Sequence, residues 1–197
     1  MHELTEICNN IGRTDKSNHH LYTEFYGPLL TPYRKSFTDI LEIGVKQGGS
    51  LLMWKEFFPN ATIWGMDNEG EGPIPEDIIN TEGLNVYLND AYDPKVVEEL
   101  IEDDKEYDLI LDDGPHTPQS QLFMLNNYVD LLKEDGILII EDVVSMEAAL
   151  SIADSFQGDR GRLSIIDRRA TPSPRSLSNA HLGTLRANWD EIILLYM

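Results

Sequence analysis

The sequence predicts an α/β protein built on one mostly parallel sheet, with an antiparallel pair of strands at one edge. Three observations carry that expectation. Short apolar runs alternate with segments of helical periodicity along most of the chain. Five of these runs end in acids, at Glu42, Asp67, Asp90, Asp112-Asp113 and Glu141-Asp142. The last two runs, RLSIIDR and EIILLYM, have no helical pattern between them, and a parallel pair would need such a crossover.

Up to about residue 35 the chain is polar and aromatic, with HHLYTEFYGPLL at its centre. Tyr22, Phe25, Tyr26, Leu29 and Leu30 are spaced for one helical face, which Pro28 and Pro32 are expected to interrupt or bound. Residues 1–35 are read as an extension that packs on the sheet, covers a ligand, or forms the interface of a homo-oligomer. Residues 36–197 form the main domain.

Phe37 to Asp67 reads as a βαβ unit. A strand, Ile40 to Ile43, leads into a turn holding Gly44, Gly48 and Gly49, then a helix over Ser50 to Phe58 and a second strand over Ala61 to Met66. Such a unit holds an adenosine-containing cofactor. Glycine lets the backbone approach the ligand, and the acid after the second strand, Asp67, can accept hydrogen bonds from ribose hydroxyls. NEGEGPIPEDIINTEG reads as a loop from its Gly and Pro density.

A third strand, Leu84 to Leu88, ends at Asn89-Asp90-Ala91, and Pro94 suits the first turn of a helix through Val96, Val97, Leu100 and Ile101. Tyr107 to Asp112 is a buried strand. Thr117-Pro118 opens a helix carrying Leu122, Leu125, Tyr128, Val129 and Leu132. Gly136 to Asp142 is the fifth strand, and Met146 to Phe156 is helical in pattern. RRATPSPRSLSNAHLGTLRANW, residues 168–189, reads as a loop or as a substrate-side or interface insertion.

The 197 residues fit one domain of ordinary composition, 41% hydrophobic and 25% charged. No run is long enough to cross a membrane and the N-terminus has no signal-like apolar core, so no membrane partner is expected. Cys8, the single cysteine, fits a reducing compartment, and a cytoplasmic location is expected. Fifteen basic against 35 acidic residues leave a net charge of −20, which disfavours a nucleic-acid partner.

In an open parallel sheet, ligands gather at the carboxyl ends of the strands, so five successive strands deliver acids to one rim. On LEIGVKQGGS, WGMDNE, NDAYD and YDLILDDG, the chain resembles the class I S-adenosylmethionine-dependent methyltransferases, from about Phe37 onward. The glycine motif is E-x-G-x-x-x-G-G, where E-x-G-x-G-x-G is commoner in that family. DDGPH at Asp112 to His116, IED at Ile140 to Asp142, and RTDKSNHHLYTEFY before the core are similar to segments of the metal-dependent macrolide sugar O-methyltransferases.

The resemblance implies a Rossmann-like, mostly parallel seven-stranded sheet with an antiparallel C-terminal strand. It also implies S-adenosylmethionine and a magnesium ion as cofactors, and a sugar or other small hydroxylated molecule as substrate. By that resemblance Asp113, Glu141 and Asp142 would hold the ion and His116 would be the general base. Glu42, Gly44, Gly48, Gly49 and Ser50 would shape the methionine side of the cofactor pocket. Asp67 and Asn68 would meet the ribose, and Asp90 and Ala91 the adenine. Asp112 would face the cofactor or brace the metal site. The chemistry of the residues agrees, since magnesium prefers oxygen ligands and His116 can take a proton near neutral pH. A nicotinamide-dependent oxidoreductase would share the acid after the second strand but lacks its G-x-G-x-x-G here. A non-catalytic cofactor-binding scaffold is the third reading.

Overall fold

A computed structural model of the chain describes residues 2–18, 20–169 and 192–197. Its elements run α1 (Glu3–Ile11), α2 (Tyr22–Leu30), a 3-10 turn (Thr31–Tyr33), β1 (Asp39–Ile43), α3 (Gly49–Phe57), β2 (Thr62–Met66) and α4 (Glu76–Ile79). They continue with β3 (Leu84–Tyr87), α5 (Pro94–Glu102), β4 (Tyr107–Asp112), α6 (Pro118–Tyr128), a 3-10 turn (Val129–Leu131), β5 (Leu132–Ile140), α7 (Met146–Ser155), β6 (Leu163–Asp167) and β7 (Ile192–Tyr196). His19 and most of the 168–189 insertion lie outside the described residues.

The seven strands form one sheet in the order β3-β2-β1-β4-β5-β7-β6. β1 through β5 pair in parallel, while β7 is antiparallel to both β5 and β6. The antiparallel edge expected from the sequence is therefore present, with β7 inserted between β5 and β6. β5 begins earlier than its apolar run, and its pairing with β4 shifts register between Tyr107 and Leu109. Lys133 to Gly136 supply the extra residues there, with Asp135 in the left-handed region at φ 62°.

Alternation along the strands divides the core into two layers. Ile40, Leu109, Leu111, Ile137 and Ile139 face α1, α2 and α3, whereas Leu41, Ile43, Ile110, Leu138 and Ile140 face α5, α6 and α7. Residues 1–35 enter the first layer through Leu4, Ile7, Cys8, Tyr22, Tyr26 and Leu30, all buried with Trp54 and Phe58. Pro28 sits inside α2, and the helix runs through it to Leu30. A proline there removes one backbone hydrogen bond, which the burial of Tyr22, Tyr26 and Leu30 on the same face offsets. α1 and α4 go beyond the sequence reading. No described helix is long and apolar enough to cross a membrane.

At the amino ends of the strands, Asp108 ties β1 to β4. Its Oδ2 accepts from the amides of Thr38 (2.7 Å) and Asp39 (2.9 Å) and from Lys133 Nζ (2.9 Å). Burial alone would raise this carboxyl, but the two amides and Lys133 hold it below the usual carboxylate value. Asp108→Ala is expected to lose about 1–3 kcal/mol at neutral pH, read from urea unfolding. Because the folded value is depressed, the wild-type advantage is full above the unfolded value near 3.8 and fades as pH falls through the folded one. An advantage that persisted unchanged at pH 2.5 would refute that assignment.

Candidate functional site at the carboxyl edge of the sheet

The rim is stitched together by backbone contacts between strand ends. Gly44 donates its amide to Met66 O (2.9 Å), and Asp113 donates its amide to Ile43 O (3.0 Å). Gly44 has φ 89°, and a Cβ there would fall on the carbonyl oxygen of Asp113. Only glycine lets the turn after β1 pass so close to the end of β4. A Cβ on Gly49 would fall on the carbonyl oxygen of Arg13, so the N-terminal segment crosses directly over the glycine turn. Arg13 fastens that crossing by donating to Gln47 O (2.9 Å) and to Asp77.

Beneath the crossing lies a cavity of about 720 Å³. Of the residues expected to bind a cofactor, Gly44, Gly49, Ser50, Asp67, Asn68, Asp90 and Ala91 line it. Asp113, His116, Glu141 and Asp142, which follow β4 and β5, line it too. Glu42, Gly48 and Asp112 are not among the lining residues. Glu42 is buried below the turn, Gly48 precedes α3, and Asp112 accepts from the Tyr92 hydroxyl and the Gly114 amide (3.3 Å). Burial pushes both Glu42 and Asp112 up to about 7. Asp67 Oδ2 accepts from the amides of Val45 (2.8 Å) and Lys46 (3.0 Å), and Oδ1 from that of Glu69 (2.6 Å). This acid thus holds the glycine turn in shape while facing the cavity.

Three side chains to which sequence reasoning gave no role in the site organise the acids. Lys16, only 2% exposed, places Nζ 2.6 Å from Asp113 Oδ2, 2.6 Å from Glu141 Oε2 and 3.5 Å from Glu42 Oε1. Burial pulls its ammonium towards neutrality, but the three carboxylates outweigh this and hold it charged. Tyr26 donates its hydroxyl to Glu141 Oε1, and Tyr22 donates to Asp142 Oδ1. Burial and the facing acids raise both phenols, so each stays a donor. The signal for Lys16 lay in RTDKSNHHLYTEFY, but its partners stand 97 and 125 residues further along the chain.

His116 and Asp142 both adopt left-handed backbone conformations, at φ 57° and 55°. Such conformations in non-glycine residues cost energy and concentrate at functional sites. His116 Nε2 lies 3.6 Å from Asp142 Oδ2 and 3.8 Å from Asp113 Oδ1. Thr117, not His116, caps α6, accepting from the Ser120 amide (3.1 Å). One ligand atom each from Asp113, His116 and Asp142 lies within 4.8 Å of the others. Burial raises Glu141 and Asp142, and for Asp142 the charge of Asp113 adds to it. Glu42, Asp113 and Glu141 share one ammonium, and Asp142 stands beside them. That surplus of oxygen donors and negative charge fits a hard divalent cation.

No family model matches the chain. Among curated proteins it is 30% identical over 148 residues to demethylmacrocin O-methyltransferase of Streptomyces fradiae, covering 72% of this chain and 36% of the relative. It is 28% identical over 131 residues to mycinamicin VI 2''-O-methyltransferase of Micromonospora griseorubida, covering 63% and 32%. The chain spans about a third of the length of these relatives. Among solved structures, the MycE methyltransferase of the mycinamycin pathway, in complex with Mg, SAH and mycinamycin VI, superposes with a TM-score of 0.66 at 20% identity. That match covers 98% of this chain and 54% of MycE. The plantazolicin methyltransferase BpumL, in complex with SAH, superposes at 0.54 and 17% identity, covering 97% and 88%. At these identities the superpositions establish the fold alone.

Proposed function

From a chain that has the Rossmann-like class I methyltransferase fold and resembles the macrolide sugar O-methyltransferases, we propose an S-adenosylmethionine-dependent O-methyltransferase, assisted by magnesium, that acts on a hydroxyl of a sugar or other small molecule. The observation that carries the reading is the meeting of Asp113, His116 and Asp142 in the same cavity that the glycine turn and Asp67 line. Its size suits a cofactor and part of an acceptor.

In this reading the start of α3 at Gly49 and Ser50 receives the methionine carboxylate, where a helix N-terminus favours negative charge. Asp67 and Asn68 meet the ribose, and Asp90 and Ala91 border the adenine. Asp113, Glu141 and Asp142 would hold the divalent ion, beside His116. When bound, the sulfonium supplies an electrophilic methyl group, and the ion acidifies a neighbouring hydroxyl. His116 takes the acceptor's proton on Nε2 as the new O–C bond forms and the S–C bond breaks. The chain's own contribution is to hold acceptor and methyl donor in line and to provide that base. The N-terminal segment between Gly12 and Tyr22 lines the cavity, and with the loop after Asp67 it selects the acceptor.

Isothermal calorimetry tests the centre of the proposal. One equivalent of S-adenosylhomocysteine per chain is expected to bind, and methyl transfer to glycosylated acceptors is expected to stop with chelator and resume with magnesium. Binding of NADH in place of the sulfonium cofactor or its product would overturn it.

A further inference from the structure

Asp113, Glu141 and Asp142 carry six carboxylate oxygens, and side chains from residues 1–35 engage four of them. Lys16 takes Asp113 Oδ2 and Glu141 Oε2, Tyr26 takes Glu141 Oε1, and Tyr22 takes Asp142 Oδ1. The remaining two, Asp113 Oδ1 and Asp142 Oδ2, are the pair that faces His116. Lys16 also neutralises the buried Glu42 below the glycine turn. Its ammonium thus stands between the acids and the protein interior, while the oxygens turned to the cavity are left on the opposite side.

We propose that Lys16 is a positioning residue: a permanent internal counter-ion of Glu42, Asp113 and Glu141 that confines an exchangeable divalent cation to the His116 side, between Asp113 Oδ1 and Asp142 Oδ2. A fixed positive charge beside Asp113 and Glu141 repels a second cation from the inward oxygens. It thereby sets the stoichiometry at one ion per chain and keeps that ion next to the base. Tyr22 and Tyr26 reinforce the arrangement as neutral donors that hold the carboxylates without adding charge.

The inference rests on the divalent-ion reading of the site, and Mn²⁺ titration followed by electron paramagnetic resonance, in the presence of S-adenosylhomocysteine, separates the two. The wild-type protein is expected to bind one Mn²⁺. Lys16→Met keeps the length and apolar stem of the side chain but removes the ammonium. It is expected to bind Mn²⁺ at least about tenfold more tightly, or to bind two ions per chain. A wild-type protein that binds no Mn²⁺ would overturn the ion reading itself. One ion in both proteins, at equal or weaker affinity in the folded variant, would overturn only the role given to Lys16. Should the variant fail to fold, the wild-type ammonium reports directly through its ¹⁵Nζ resonance. A slowly exchanging signal that persists through a Mg²⁺ titration supports the assignment, and its release to solvent on adding Mg²⁺ would show that the ion displaces Lys16.

Discussion

His116→Ala is expected to lower turnover in methyl transfer by about 10²–10⁴-fold while leaving affinity for S-adenosylhomocysteine within about threefold. The asymmetry follows from where the side chain stands. His116 lines the cavity beside Asp113 and Asp142, whereas the groups read as holding the cofactor are the glycine turn and Asp67. Under the proposed function its loss removes the group that would accept the acceptor's proton, but none of those assigned to adenine, ribose or methionine. Thr117, which caps α6, is untouched, so the helix should keep its start. Single-turnover kinetics with saturating cofactor give the chemical step, and calorimetry gives the affinity. A variant with normal turnover would remove His116 from the mechanism; one that lost cofactor affinity instead would make it a cofactor-binding residue.

Asp67→Ala is expected to act in the opposite sense, weakening cofactor binding by at least about 100-fold, or roughly 3 kcal/mol. Two effects combine. Under the proposed function the carboxylate would meet the ribose hydroxyls, and it also accepts from the amides of Val45, Lys46 and Glu69. Removing it leaves those amides without their acceptor and loosens the glycine turn. Asp67→Asn keeps one acceptor oxygen and should fall between the variant and the wild type. Calorimetric titration with S-adenosylhomocysteine decides the matter, and equal affinities for all three proteins would exclude Asp67 from the cofactor site.

β1, β2, β4 and β5 were legible as apolar runs that carry an acid at or next to their ends and are largely buried, whereas β3, at the sheet edge with Asn85 exposed, is legible only as a short β-like run. Alternation of strands and helices was enough for the architecture. α1 was missed although Leu4, Ile7, Cys8 and Ile11 follow helical spacing, because the segment is short and polar elsewhere. α4 is a single turn inside a Gly- and Pro-rich loop, where local composition argues against helix. β5 starts at Leu132 rather than at the apolar run because a bulge absorbs Lys133 to Gly136, and no pattern in one strand reports its partner's register.

The site divides along a similar line. Asp67, Asp113, Glu141 and Asp142 sit at strand ends, and strand position alone brought them to one rim. Lys16, Tyr22 and Tyr26 come from a segment with no strand of its own. Their significance depends on packing that sequence spacing does not encode. A lysine in a polar stretch reads as a solvated charge until the fold buries it among three acids.

The placement of β7 has a consequence for the order in which this sheet comes apart. Among the described residues, β6 is hydrogen-bonded to the sheet through β7 alone, whereas β7 is held from both sides. β6 can therefore peel away while β7 stays, but β7 cannot leave without setting β6 adrift. Hydrogen-exchange protection should be nested accordingly, with the amides of β6 opening at a free energy no higher than those of β7 and β7 no higher than the buried β4. On the flank away from β1, β2 and the glycine turn, fraying therefore begins at β6 and reaches β7 only afterwards.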